Sequence, residues 1–520
     1  MAERLFGVET EYAISAMQGH EPAERVPVIR RLMELAHATL PNVHDGSSSG
    51  LFMENGARLY LDCGMHVEFS TPECVNPWDA VRYVEAGHQT MLRLLERLGV
   101  QCAPGLETGC YRVNVDYSGN GTTWGCHESY MHRMTPELMP PQLIPHLVTR
   151  MIYTGAGGFN PFCDGLKFTL SPRSAHIERA ISSDSTSERG IFHTKDEPLC
   201  AGHHRLHILC GESLCSQLGM FVKFGATSLI VAMAEAGLAP GDAVQLDSPL
   251  NALRTVAGDL TLKRPLELRG SARRTALEIQ RHYLEMAEAH LFDSFMPLWA
   301  PEVCKQWRRA LDLLERGPAA AAGALDWPTK LALYMSHAER RTLPWHHLTF
   351  WNALLERMRK AMQLPAEGGR FPLDFALGTE TPIPDLVKGA NALLRRKGLE
   401  WDELRHILAL RPEFFEIDMR FGQLGPRGLF SMMDEAGALD HRVSGIDNIE
   451  HALRNPPAAG RARLRGAVVK RVAGDRQGEW CCTWQQIYSQ RYGRVLDLSD
   501  PFAKEELWHD EPAEENESVF

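Results

Sequence analysis

The sequence predicts an α+β fold with one large domain followed by a smaller one. Strand-like runs recur between residues 5 and 210, and helical spacing dominates from about residue 275 to residue 410. A chain of 520 residues is also too long for one small core. We therefore expect short strands to be concentrated ahead of a long helical region.

The first elements can be placed in order from the amino terminus. Residues 5–12 alternate as a strand does, which puts Glu9 and Glu11 on one face. An Asn-Gly pair at 55–56 is a strong turn signal between two apolar runs and predicts a hairpin over residues 51–62. The other elements predicted in this part are a helix at 26–40, a strand at 66–70 and an amphipathic helix at 77–99.

The rest of the chain continues as a mixture and ends in a small appended segment. Further strands are predicted at 109–116, 166–171 and 205–210, a long apolar helix at 216–237, and helical breaks near 317–328 and 364–384. A boundary is expected near residues 473–475. The segment beyond it carries Trp480 and Trp484, and its last ten residues form an acidic end that we expect to be disordered.

The composition favours a soluble protein of a reducing compartment. Hydrophobic residues make up 44% and charged residues 23%, and the net charge of −11 argues against nucleic acid as the main partner. The twelve cysteines form no paired CxxC motifs, the start lacks an apolar signal segment, and no uninterrupted apolar run approaches the length of a membrane span. We expect a cytoplasmic protein that binds neither nucleic acid nor a membrane.

Carboxylates on short strands are the most informative feature of the sequence. Glu9, Glu11, Asp62 and Glu68 would repel one another on a shared surface unless a cation lay among them. Magnesium suits such hard oxygen ligands and commonly bridges to phosphates. Charged residues at alternate strand positions also fit a solvated sheet face, so the spacing alone leaves both interpretations open.

Motifs of other enzyme classes are missing or broken. The chain has no Gly-Lys-Ser/Thr phosphate loop. His127 and His132 lie five positions apart, whereas the helix of a zinc protease requires four. Histidines at 203, 204 and 207 could bind a metal but are expected to be structural, and the arginine-rich run at 461–465 is expected to be a solvated helix face.

Read together, several segments resemble the Pup ligase and Pup deamidase family, relatives of glutamine synthetase among the carboxylate-amine ligases. The segments that carry this resemblance are 7–12, 55–62, 66–74, 125–130, 147–150, 194–198, 205–207, 325–330, Trp484 and 500–502. The resemblance implies a glutamine-synthetase-like curved antiparallel sheet packed with helices. It also implies a catalytic domain at 1–472 and a small domain at 473–520 that closes over the nucleotide.

The resemblance assigns site residues position by position. It implies that Asp62 is the catalytic residue and that ATP and magnesium are bound. The positions that match the magnesium site are Glu9, Tyr60 and Glu68, and those that match the ATP site are Arg58, Thr71 and Trp484.

The implied activity is an ATP-dependent ligase that joins the C-terminal glutamate of a Pup-like modifier to lysine amines of target proteins. The alternatives are a deamidase or isopeptidase acting on the same modifier, and a small-molecule glutamate–amine ligase. The deamidase branch carries a long extra loop between the opening strand and the hairpin. In this chain only residues 13–54 separate the two, which is the ligase arrangement. The chain departs from the family pattern at 112–114, 171–173 and 210–213, which leaves the identity of the modifier open.

Overall fold

The computed structural model describes residues 4–102, 105–184, 187–194, 202–363, 384–475 and 477–510. Part of the family motif at 194–198, nearly all of the helical break expected at 364–384 and the acidic tail from residue 511 lie outside the described residues. Its strands are β1 (Phe6–Gln18), β2 (Glu21–Pro22), β3 (Asn42–Asp45), β4 (Leu51–Met53), β5 (Arg58–Leu61), β6 (Val67–Ser70), β7 (Leu106–Tyr111), β8 (Cys126–His132), β9 (Gly158–Phe159), β10 (Phe168–Thr169), β11 (Arg179–Ser182), β12 (Gly190–His193), β13 (His204–Ile208), β14 (Leu266–Glu267), β15 (Arg273–Arg274), β16 (Trp480–Cys482), β17 (Gln486–Ser489), β18 (Arg494–Asp497) and β19 (Leu507–Asp510). Its helices are α1 (Arg25–Thr39), α2 (Pro77–Arg97), α3 (Met139–Thr149), α4 (Met151–Thr154), α5 (Gln217–Glu235), α6 (Pro249–Ala257), α7 (Ala276–Ala289), α8 (Ala300–Glu315), α9 (Pro318–Ala321), α10 (Asp326–Arg340), α11 (Leu348–Ala361), α12 (Pro384–Lys397), α13 (Trp401–Phe421), α14 (Leu429–Glu435), α15 (Ile449–Ala452) and α16 (Gly460–Val472).

One large sheet organises the molecule. Its main path runs β11-β12-β13-β8-β1-β6-β5-β4-β3-β16-β17-β18-β19, and β2 and β7 also pair with β1. The strands between β12 and β3 pair antiparallel, while β11 with β12 and β16 with β3 are parallel. The α+β prediction is confirmed, and β1 lies in the middle of the sheet between β6 and β8.

Local sequence signals explain the elements around β1. The hairpin predicted over residues 51–62 forms as β4 and β5, where Gly56 has a φ of 80° that favours glycine. The Asn55 side chain accepts a hydrogen bond from the backbone N–H of Ala57 at 3.1 Å and closes the turn. Helix α2 begins with Pro77 after Asn76, whose side chain caps it by accepting from the backbone N–H of Asp79 at 2.8 Å.

Helices pack against the sheet around the apolar helix α5. It was expected at 216–237, and it contacts α2, α3, α7 and α8. Among the described residues it is the one helix long and apolar enough to cross a membrane, although its apolar window is entirely buried inside the protein. Such burial is typical of the core helix of a soluble fold.

The segment after α16 extends the same sheet. Strand β16 pairs in parallel with β3, and β17, β18 and β19 follow as an antiparallel series. Their apolar side chains join Val43 and Phe52 in one buried cluster with the apolar face of α16. Helix α16 ends at Val472, next to the domain boundary predicted at residue 473, and that division of the chain stays a prediction.

The prediction of a solvated arginine face on α16 was wrong. The Arg461 and Arg465 side chains are 3% and 0% exposed, because both turn inward to the carboxylate of Glu73. Burial alone would raise the pKa of Glu73, but the charges of Arg465 and Arg461 outweigh it and bring that pKa to about 2. The carboxylate is therefore ionised and ties α16 to the chain just after β6.

Candidate active site

The strand register gathers the predicted carboxylates on one face of the sheet. Glu11 of β1 lies opposite Glu68 of β6, and Glu68 lies opposite Tyr60 of β5. Residues two positions apart on a strand share a face, so Glu9 and Arg58 join this surface. The predicted metal-site residues Glu9, Tyr60 and Glu68 are therefore brought together on three adjacent strands.

Two histidines from the other side of β1 complete the cluster. His127 of β8 pairs in register with Glu9, and its Nδ1 lies 3.4 Å from Glu9 Oε2 and 3.8 Å from Glu68 Oε1. His207 of β13 places its Nε2 3.4 Å from Glu9 Oε2. The sequence prediction kept His207 as structural and gave His127 no role, whereas both lie within the carboxylate cluster.

The carboxylates of the cluster are buried close to one another, which affects their protonation. Burial, reinforced by the charges of Glu9 and Glu11, raises the pKa of Glu68 well above its ordinary value. Among the described residues, the buried Glu68 Oε1 has no hydrogen-bond partner. Burial acts in the same direction on the pKa of Glu9, but the neighbouring His207 and His127 outweigh it and hold that pKa well below the ordinary value.

These donors fit a divalent cation. Among the described residues, potential ligand atoms lie within 4.8 Å of one another in three groups, which are Glu9 with His127 and His207, Glu11 with Glu68 and His127, and Glu11 with Asp62 and His66. A bound cation would supply the missing partner of Glu68 Oε1 and remove the repulsion that raises its pKa. Carboxylate oxygens suit hard cations such as Mg²⁺, and imidazole nitrogens broaden the range to first-row transition metals.

Asp62 lies at the edge of this cluster, in the turn between β5 and β6. Its Oδ1 accepts from the backbone N–H of His66 at 2.6 Å, and its Oδ2 lies 3.1 Å from His66 Nδ1. His66 Nδ1 is also 3.5 Å from Glu11 Oε2. Burial would lower the pKa of His66, but hydrogen bonds to Asp62 and Glu11 raise it to about 9. His66 therefore orients the Asp62 carboxylate and links it to Glu11.

Arg58 is held beside the cluster by a short serine-rich loop. Its Nε donates to Asp45 Oδ2 at 2.7 Å, its second terminal nitrogen donates to Ser48 Oγ at 3.1 Å, and its guanidinium lies 4.0 Å from the centre of the Tyr60 ring. Ser47 also donates to Asp45, so that carboxylate is fixed from two sides. Arg58 is thus oriented, with part of its donor capacity already used by the protein.

A cavity of about 610 Å³ adjoins the Glu9 end of the cluster. Its lining residues are Leu5, Phe6, Gly7, Val8, Glu9, Ser70, Thr71, Glu73, Ser129, Tyr130, Met131, His204, Arg205, Arg461, Trp484 and Pro501. Arg205 donates to Glu9 Oε1 at 2.8 Å, which places one guanidinium where the cavity meets the carboxylates. The cavity wall therefore combines charged and aromatic side chains next to the carboxylate cluster.

Two of the predicted ATP-site residues line this cavity, and the third does not. Thr71 follows β6, and its hydroxyl oxygen accepts from the backbone N–H of Val8 at 3.1 Å. Trp484 comes from the loop between β16 and β17, so the carboxy-terminal strands supply part of the wall. Arg58 lies on the neighbouring carboxylate surface instead. The fold and the site together define an α+β protein whose sheet carries an acidic, imidazole-containing centre beside a cavity.

Comparison with known proteins specifies this class further. The family model described as "Pup-ligase protein" matches residues 4–356 and 390–488. The chain is 35% identical over 513 residues to a Pup–protein ligase of Mycolicibacterium vanbaalenii, covering 96% of this chain and 97% of that protein. It is 28% identical over 515 residues to a Pup–protein ligase of Acidimicrobium ferrooxidans, covering 97% of each. The protein belongs to the Pup-ligase family.

Two solved structures share the fold. The crystal structure of the complex between the prokaryotic ubiquitin-like protein Pup and its ligase PafA matches with a TM-score of 0.71 at 24% identity, covering 96% of this chain and 90% of that one. The structure of the Pup ligase PafA in complex with ADP matches with a TM-score of 0.64 at 24% identity, covering 94% of each chain. The fold expected from the resemblance is confirmed by both matches.

Proposed function

We propose that this protein is an ATP-dependent ligase that joins the C-terminal glutamate side chain of a Pup-like modifier to lysine amines of target proteins. The observation that carries the proposal is the shared location of three parts. One region of the sheet holds the carboxylate–histidine cluster, Asp62 at the edge of that cluster, and the 610 Å³ cavity. The relatives reported above carry the name Pup–protein ligase, which supports the same reaction.

Magnesium is the cation we propose for the cluster. Glu9, Tyr60 and Glu68 would hold it, and the buried Oε1 of Glu68, which finds no hydrogen-bond partner within the described part of the chain, supports this assignment. When bound, the ion would neutralise charge on the phosphate oxygens of ATP. The residues on the cavity side of the cluster would bind the nucleotide, with Thr71 beneath it and Trp484 against its base.

The first chemical step activates the modifier. A carboxylate does not react with an amine, because its oxygen is a very poor leaving group. An oxygen of the modifier's glutamate would attack the γ-phosphorus of ATP. The bond between the γ-phosphorus and the oxygen that bridges it to the β-phosphate would break. The products of this step would be ADP, which departs, and a glutamyl phosphate on the modifier. Arg58, already oriented by Asp45, would stabilise the negative charge that develops on the transferred phosphoryl group.

The second step forms the isopeptide bond. A lysine amine is protonated at neutral pH and must lose a proton to become a nucleophile. Asp62 would accept that proton, and the neutral nitrogen would attack the acyl carbon of the glutamyl phosphate. The carbon–oxygen bond to the phosphate would then break, and inorganic phosphate would leave with the second amine proton as the isopeptide bond forms. His66 would keep the Asp62 carboxylate aimed at the amine through its backbone N–H and its ring.

The connection ahead of the hairpin favours the ligase over the hydrolase branch. Between β1 and β4 the chain forms β2, α1, β3 and a short serine-glycine turn, which accounts for the connection without a long extra loop. We also propose a cytoplasmic location. The described cysteines are free thiols, as in proteins of a reducing compartment.

An Asp62→Asn variant tests the proposed base. We expect conjugate formation to fall by at least about 10²-fold, because a general base contributes roughly that factor, while ATP affinity stays within about twofold of the wild type. Asp116→Asn is the matched control, since Asp116 also holds a turn, through Ser118, and belongs to none of the ligand groups of the cluster. Conjugation by the Asp62 variant at the rate of the Asp116 variant would rule out Asp62 as the base.

A further inference from the structure

A buried arginine lies directly behind the tryptophan of the cavity wall. The Arg465 guanidinium carbon is 4.8 Å from the centre of the Trp484 ring and 5.5 Å from the centre of the Phe52 ring. Phe52 itself meets Trp484 edge to face, at 5.2 Å between ring centres and 85° between planes. Trp484 lines the cavity and Arg465 does not, so the arginine covers the indole face that points away from the cavity.

Arg465 is more than the counter-charge of Glu73. Arg461 Nε already donates to Glu73 Oε1 at 2.6 Å and would neutralise that carboxylate alone. In the part of the chain that the structure describes, these two arginines share a single carboxylate, and both are buried. A second buried cation beside one carboxylate is costly unless it gains other favourable contacts. The two aromatic rings provide those contacts to Arg465.

The backbone fixes Arg465 from a third direction. Its Nε donates to the carbonyl of Gly56 at 3.2 Å, at the tip of the β4–β5 hairpin, while its terminal nitrogens contact Glu73 just after β6. Trp484 lies at the tip of the β16–β17 hairpin, a half-buried position in a short loop. Arg465 thus joins that loop to the catalytic part of the sheet.

We propose that Arg465 is a positioning residue for nucleotide binding, which holds the Trp484 indole in place so that its cavity-facing side stacks on the base of ATP. This inference rests on the proposed ATP-dependent function and adds a residue that touches neither nucleotide nor metal. A planar guanidinium on one face of the indole fixes the ring without occupying the other face. An indole held in its bound orientation loses less conformational entropy when the base stacks on it.

The proposal predicts that Arg465 variants bind ATP more weakly but keep their affinity for a ligand that lacks the adenine base. Calorimetry would compare ATP with inorganic tripolyphosphate, each with excess magnesium, on the full-length protein and on Arg465→Lys and Arg465→Met. Lysine keeps the charge, and methionine keeps the volume while Arg461 still pairs with Glu73. We expect the Kd for ATP to rise about tenfold, within the range of one base–aromatic stack, and the Kd for tripolyphosphate to change by less than about twofold. Arg471→Lys, an exposed position on the same helix, is the control.

A Trp484→Ala background completes the test. If Arg465 acts through Trp484, Arg465→Lys should add less than about twofold to the ATP Kd in that background. The proposal would be overturned if the Arg465 variants raised the Kd of ATP and of tripolyphosphate equally, or if their Kd for ATP equalled that of Arg471→Lys. It would also be overturned if Arg465→Lys still raised the ATP Kd tenfold in the Trp484→Ala background. Failure of both Arg465 variants to fold would do so as well, because the residue would then serve the fold. A wild-type protein that binds neither ligand would overturn the proposed function itself, which separates the two failures.

Discussion

Replacing Glu73 by glutamine removes the charge that Arg461 and Arg465 share. Glutamine has nearly the shape of a protonated glutamate, so the variant mimics the protein with Glu73 neutral. The pKa of Glu73 falls from an ordinary 4.5 to about 2 in the folded protein, because the two guanidiniums outweigh the effect of burial. Each pH unit of that difference is worth about 1.4 kcal/mol, so we expect Glu73→Gln to lower the free energy of unfolding by about 3 kcal/mol at neutral pH.

The sign of the pH dependence follows from the lowered pKa. The stabilisation is fully present above the unfolded value of 4.5 and is lost as the pH falls toward about 2. Between neutral pH and about pH 3.5, the difference between wild type and variant should shrink by about 1.4 kcal/mol.

Urea unfolding followed by circular dichroism would measure this difference at each pH, and hydrogen exchange of Gly460–Val472 would localise it to α16. Glu356→Gln is the control, because Glu356 forms an exposed pair with Lys360 and should change stability by less than about 1 kcal/mol. A Glu73 variant as stable as that control at neutral pH, or a difference that does not shrink in acid, would refute the reasoning.

Three further predictions address the cluster and the core. Glu9→Ala should weaken magnesium-dependent ATP binding by at least about tenfold, and unchanged affinity by calorimetry would contradict its assignment. Lys330→Met should lower the free energy of unfolding, measured in urea, by about 3–5 kcal/mol, because Lys330 Nζ donates to the buried Asp418 at 2.6 Å. A decrease below about 1 kcal/mol would show that the Asp418 carboxylate finds another partner. Gly225→Ala would place a Cβ 2.5 Å from Val303 Cγ2, at the contact between α5 and α8. This overlap should destabilise the protein by about 1–3 kcal/mol. An unchanged melting temperature would show that α8 shifts to make room without a loss of stability.

Local patterns in the sequence were sufficient to predict the strands that carry the carboxylates. The alternation around Glu9 and the Asn-Gly turn at 55–56 are properties of neighbouring residues, and the structure places both as expected. The resemblance added Tyr60 to the metal-site positions, and the sheet register places it opposite Glu68 on the same surface. Their roles as ligands stay predictions.

Long-range pairing explains what the sequence could not give. His127 and His207 reach the cluster only because β8 and β13 pair next to β1, a register that no local pattern contains. In the strand predicted at 66–70, His66 and Glu68 share a face, which is a usable signal for His66 even though β6 begins at Val67. Arg461 and Arg465 were misjudged because their carboxylate lies 388 and 392 residues away in the sequence. Arginines on a helix are expected to face solvent until a distant carboxylate that pairs with them is known.

A conjugation assay tests the central claim most directly. The purified protein would be mixed with ATP, magnesium, a Pup-type modifier ending in glutamate and a lysine-bearing protein, and followed by mass shift and ADP release. The ligase account predicts an isopeptide-linked product with one ADP released for each bond formed. Cleavage of an amide or isopeptide bond without ATP turnover would contradict it and move the protein to the hydrolase branch. ATP turnover with free glutamate and a small amine, but no protein conjugate, would contradict the proposed protein substrate.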